Sequence, residues 1–133
     1  MLTPAGLDKS IGLVTSLYGK DPTDSRWDSD PGMIAWRTFM KTYYPDGNLI
    51  DNSNVFGYSQ ARTLVQVLKQ CGDDLSRENV MKQAASLRDF DTGVSLPGIT
   101  INTSPSDFAP IKAVQLARFD GKTWVPFGEA ISK

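Results

Sequence analysis

The sequence predicts an α/β fold. Three observations carry this: stretches with apolar residues at helical spacing, an alternating run near each end, and clusters of turn-forming residues between them. The strongest helical stretch is 54–71, NVFGYSQARTLVQVLKQC. Asn54 to Tyr58 reads as a turn leading into it, and the rest as a helix. Ala61, Leu64, Val65 and Leu68 share one face, widened by Phe56, Tyr58 and Val67, while Gln60, Arg62, Gln66 and Lys69 lie outside it. A helix with so wide an apolar surface is expected to be buried against a sheet or between layers.

The remaining elements follow in order. Pro4-Ala5-Gly6 favours an irregular lead-in. Ile11 to Tyr18 is expected to be a strand with apolar residues on both faces, suited to a sheet covered by helices. Residues 19–30 form a polar loop in which Trp27 should anchor the loop on the core. Asp30 is placed to cap a helix that opens with Pro31, where a missing amide costs nothing. Ile34 or Ala35, Trp36, Phe39, Met40 and Tyr43 form its stripe, and Tyr44-Pro45-Asp46-Gly47 ends it.

Gly72 fits the C-terminal cap of the long helix. Ser76 should cap a further helix that runs to about Arg88, with Glu78 in its first turn. Phe90 to Gly98 reads as irregular chain, and Ile99 to Thr103 as a short strand. Ile111 to Phe119 alternates as a strand. Asp120-Gly121 signals a two-residue hairpin, with return strand Lys122 to Phe127 placed at an edge by Pro126.

Composition narrows the function. The chain has 133 residues, 40% apolar and 22% charged, which is the composition of one folded unit rather than a disordered one. Its 14 basic and 15 acidic residues leave a formal net charge of -1, with no basic block to read as a nucleic-acid footprint. No run approaches the roughly 20 apolar residues of a membrane span. The opening MLTPAGLDKS lacks the basic and apolar regions of a signal peptide, so a targeting segment would lie outside this sequence.

Catalytic chemistry finds little support. Histidine is absent and Cys71 is the sole cysteine, which excludes an internal disulfide, His-based triads and the common zinc sets within this chain. Cys71 is expected to be a partly buried, inert thiol. Asp21, Asp24, Asp28 and Asp30 crowd one loop, but their order does not match a calcium-binding loop, so a solvated loop with a helix cap is preferred. Gly93 to Gly98 lacks the spacing of a phosphate loop. Ser53, Ser59 and Ser104 have no neighbouring base. No cofactor is indicated, and the chain is not expected to be an enzyme.

Four segments carry a resemblance: AGLDKSIGLVTSLYGKDPTD at 5–24, DPGMIAWRTFMKTYYPDG at 30–47, NVFGYSQARTLVQVLKQCGDDLSRENVMKQAASL at 54–87 and LPGITINTSPSDFAPIKAVQLARFDGKTWVPFGE at 96–129. In this order they resemble the C-terminal portion of the periplasmic leucine/isoleucine/valine-binding proteins, the solute receptors of branched-chain amino acid ABC transporters. The resemblance covers nearly the whole chain.

It implies a partial type I periplasmic-binding-protein fold, a Rossmann-like lobe fragment with a C-terminal β-hairpin. That family has two α/β lobes joined by three crossovers, with solute between them. Residues 1–50 and 112–133 would then be second-lobe elements and 54–107 first-lobe elements, whether the chain forms a single compact unit or a fragment. The main parallel sheet and most solute contacts would lie in a missing N-terminal region. Tyr58 and Ser59 are the candidate ligand-binding residues, at the cleft rim. The implied partners of the full-length parent are an amino acid or small carboxylate and a membrane permease, and its location is periplasmic. Alone, the chain is not expected to bind solute. The rival reading is a non-catalytic interaction module that buries the Ala61–Leu64–Val65–Leu68 face in a homodimer or swapped assembly.

Overall fold

The computed structural model describes residues 2–132. Among the described residues three α-helices, α1 (Pro31–Tyr43), α2 (Asn52–Cys71) and α3 (Arg77–Ala84), lie in chain order between the first strand and the last three. The strands are β1 (Val14–Leu17), β2 (Ala113–Phe119), β3 (Trp124–Pro126) and β4 (Ile131–Ser132). They form an open antiparallel sheet ordered β1-β2-β3, with β4 on the start of β2. Val14 faces Arg118, Ala117 faces Pro126 and Val114 faces Ile131. The result is a mixed α/β fold, with the hairpin at its C-terminal end.

The helix starts follow from capping chemistry. Asp30 accepts a hydrogen bond from the Met33 amide and Pro31 fills the first position of α1. Asp51 accepts from Ser53, so α2 begins at Asn52 and the expected turn at Asn54–Tyr58 is already helix. Gly72, at φ 58°, ends α2 as expected of a glycine cap. Ser76 caps α3 at Asn79. α3 stops at Ala84 rather than near Arg88. The Thr103 hydroxyl donates to the Ala84 carbonyl at 2.6 Å and accepts from the Leu87 amide, drawing the chain out of the helical path.

The strands are shorter than alternation suggests. Gly12 turns at φ 90°, so the regular run of β1 starts at Val14 instead of Ile11. Val14 is exposed and no helix layer covers β1 on both faces, contrary to the expectation from its apolar sequence. Ile99–Thr103 makes only isolated bridges, Ile101 pairing with Phe90 and Ile111. Phe119 faces Trp124, so the hairpin loop spans 120–123 rather than two residues. The Asp120 carboxylate closes that loop by accepting from the amides of Lys122 and Thr123, both at 2.8 Å. Pro126 lies on the sheet's edge strand, as expected of a residue without an amide hydrogen.

Two apolar clusters hold the helical body. Met33, Trp36 and Met40 of α1 pack with Val55 of α2 and with Val94, and Trp27, Leu49 and Tyr58 close over them. Trp27 thus anchors its loop on the core. α1 and α2 therefore share one cluster. The second cluster joins Val67 and Cys71 of α2 to Leu87 and Ile101, with Val80, Ala84, Phe90 and Ile111 against it. Cys71 is buried, more fully than the partial burial expected of it.

The apolar face that the sequence assigned to the core of α2 is turned outward. Leu64 is 55% exposed, Val65 49% and Leu68 40%, and Ala61 and Phe56 are exposed as well. Val55, Val67 and Cys71 take the buried positions instead. On α1, Ile34, Phe39 and Tyr43 are exposed in the same way.

Candidate functional site

Tyr58 stands on the second turn of α2, half-buried against the first core cluster. Its ring lies 5.2 Å from that of Phe39, which lies 5.1 Å from Tyr43, both in tilted arrangements favoured by aromatic quadrupoles. One turn further along α2, the Arg62 guanidinium sits 5.9 Å from the Tyr58 ring. Phe39, Tyr58 and Arg62 line a groove of about 330 Å³, together with Ala61, Val65, Gln66, Lys69 and Phe90. Its floor is aromatic and aliphatic. Arg62, Gln66 and Lys69 recur at helical spacing and give one wall a cationic and amide character.

Ser59 does not line this groove. Its side chain is half-buried and its carbonyl accepts the Thr63 hydroxyl at 2.9 Å. The structure therefore brings Tyr58 together with Phe39, Arg62 and Phe90, and leaves Ser59 beside them. The groove is open and holds no nucleophile paired with a base. A second depression of about 280 Å³ lies at the start of α3, lined by Asp74, Ser76, Glu78, Asn79 and Lys82. Asp74 is committed there to the Ser76 amide, whose hydrogen bond holds the carboxyl below its ordinary pKa.

The four crowded aspartates are each engaged. Asp21 accepts from the Thr23 amide and hydroxyl. Asp24 pairs with Arg26, Asp28 with Arg37, and Asp30 with Lys20. Among the described residues no group of three or more potential ligands is placed to hold a metal ion.

Sequence reasoning missed a buried polar junction at Lys20. The side chain of Lys20 is only 8% exposed, yet its ammonium reaches both oxygens of Asp30, at 2.8 and 2.9 Å, and the Gly93 carbonyl at 2.9 Å. The Trp27 ring lies 5.4 Å from the same nitrogen. Burial alone would raise the Asp30 carboxyl, but the hydrogen bonds from Lys20 and the Met33 amide overcome it and hold the group below its ordinary value. Close by, the Lys20 amide donates to Val94 and the Leu96 amide to Tyr18. Gly93 is 73 residues from Lys20, and no local pattern links them.

A sequence model of a family described as periplasmic binding protein matches residues 2–123. No curated protein matches. Among solved structures, a branched chain amino acid ABC transporter from Thermus thermophilus with bound valine superposes with a TM-score of 0.71 at 18% identity. The match takes in 99% of this chain and 36% of that one, so this chain spans little more than a third of its neighbour's length.

Proposed function

Because the chain belongs to the periplasmic-binding-protein family, we propose that it is the C-terminal part of an extracellular solute receptor serving ABC-transporter uptake. Its solute is an amino acid or a related small carboxylate. The observation that carries this reading is the outward-facing α2 surface of Leu64, Val65 and Leu68. Each half-exposed side chain forgoes roughly 1 kcal/mol of burial. A sheet supplied by a preceding N-terminal region would recover it, and the neighbour's greater length leaves room for such a region.

In the full-length parent, lobe closure buries the solute and presents both lobes to a membrane permease, in the periplasm. No covalent step is involved. The chain alone lacks the lobe that would complete the cleft, and it does not hold solute tightly. Tyr58 stands at the cleft rim, with Ser59 beside it. Residues 54–107 are first-lobe elements and 112–133 second-lobe elements. In the same reading residues 1–50 belong with the second lobe, and α1 meets α2 in a shared core cluster.

Calorimetric titration tests this. The longer protein should bind leucine, valine or another small carboxylate at micromolar or tighter affinity, and this chain alone should not. Micromolar binding of leucine or valine by the isolated chain would sink the proposal.

The same exposed face supports a second reading, a non-catalytic module that buries Leu64, Val65 and Leu68 in a homodimer or swapped assembly. Light scattering coupled to size exclusion separates the two. A monomer at high concentration counts against the dimer.

A further inference from the structure

The chain passes between the sheet and the helical body at Tyr18–Lys20 and again at Ile111–Ala113. Arg26, on the loop between β1 and α1, spans the two bodies. Its root is fixed on the helical side. The Arg26 Nε donates to both oxygens of Asp24, at 3.0 and 2.8 Å, and a terminal nitrogen pairs with the same carboxylate. The Asp24 side chain is only 5% exposed and also accepts the Arg26 amide at 3.0 Å, so it orients both backbone and side chain. Trp27 lies beneath, 5.9 Å from the guanidinium and packed on the α1 core.

The tip of Arg26 reaches the sheet. Its terminal nitrogen donates to the Trp124 carbonyl in β3 at 2.9 Å. The acceptor is held in turn: Trp124 packs against Phe119 at 5.3 Å, and β3 is laddered to β2. The Asp120 carboxylate in the adjoining hairpin loop attracts the same guanidinium. A planar fork suits this task, because one cation satisfies a carboxylate and a carbonyl in directions fixed relative to each other. A lysine is a point charge and fixes no such angle.

We infer that Arg26 is a latch that sets the angle between the C-terminal sheet and the helical body. The inference rests on the receptor reading for its role: there the sheet leads into the second lobe, and the latch defines the resting separation of the lobes. The latch itself requires no solute. Its failure is therefore distinguishable from failure of the receptor reading.

The test places spin labels at exposed Gln70, at the end of α2, and exposed Lys122, in the hairpin loop, in a Cys71→Ala background. Electron–electron distance measurement should give one narrow distribution for this parent. Arg26→Ala should shift and broaden it. Arg26→Lys, which keeps the charge beside Asp24, should also lose the narrow distribution, by a smaller margin. Arg77→Ala, an exposed change on α3, should leave it unaltered. Circular dichroism of each variant separates a released sheet from an unfolded chain. A broad parent distribution, or an Arg26→Lys distribution identical to a narrow parent, overturns the inference.

Discussion

Gly32 and Gly93 touch so closely that a Cβ on Gly32 would lie 1.8 Å from the Gly93 carbonyl oxygen. That oxygen also accepts the Lys20 ammonium, so it cannot retreat without breaking a buried bond. Helix propensity alone favours alanine over glycine by about 1 kcal/mol. Here the clash should prevail, and Gly32→Ala should lower stability by about 2 kcal/mol. Gly57, in α2, has nothing within 4 Å of its would-be Cβ. Gly57→Ala should therefore stabilise the chain by about 0.5–1 kcal/mol. Urea denaturation of the two variants should move in opposite directions.

Lys20 should be intolerant of truncation. Its removal leaves Asp30 partly buried without its cation and the Gly93 carbonyl without a donor. Lys20→Ala should cost about 3 kcal/mol, the usual loss when one member of a buried pair is deleted. The Asp30 cap on Met33 persists, so helix content should survive wherever the variant folds. A cost below about 1 kcal/mol would show that the junction is solvated.

Acid should weaken the Asp24–Arg26 pair. The Arg26 hydrogen bond holds the Asp24 carboxyl below its ordinary value despite opposition from burial. A carboxyl with a depressed folded pKa adds stability that is complete above its unfolded value, near pH 4, and is lost as pH falls through the lower folded value. Denaturation midpoints from pH 6 to pH 2 should thus fall less steeply for Asp24→Asn than for the parent. Parallel profiles would remove Asp24 from the acid response.

Polar substitutions on the outer face of α2 should be mild in the isolated chain. Leu64→Gln and Leu68→Gln should each change its stability by less than about 0.5 kcal/mol. Val67→Ala, on the buried side, should cost about 2 kcal/mol. The longer protein should reverse the ranking for Leu64 and Leu68, which would there be core residues. Chemical denaturation of both lengths checks this, and equal tolerance in both would remove the case for a covering sheet.

Much of the local structure was legible because its causes are local. The Asp30-Pro31 start, the Gly72 end and the Ser76 cap each rest on hydrogen bonds or φ preferences within a few residues. The direction of α2 was not legible. Periodicity reports which residues prefer burial, and it found Leu64, Val65 and Leu68, but it cannot say whether a partner is present. Val94 and Leu96 were also hidden, since they enter the core from irregular chain without a period to detect. The groove was half visible through Tyr58. Arg62 was assigned to solvent, and its place over that ring depends on Phe39 and Phe90 arriving from distant segments.

The 73-residue span between Lys20 and Gly93 carries a consequence for biosynthesis. At roughly 5–20 residues per second, about 4–15 seconds pass between translation of the two residues. Met33 and Trp36 are made early in that interval, and Val94, which shares their core, is made after it ends. A nascent chain therefore displays a sticky α1 while its covering strand of polypeptide is still being synthesised. Chaperone demand should peak in that window, and slowing translation after residue 50 should lengthen it.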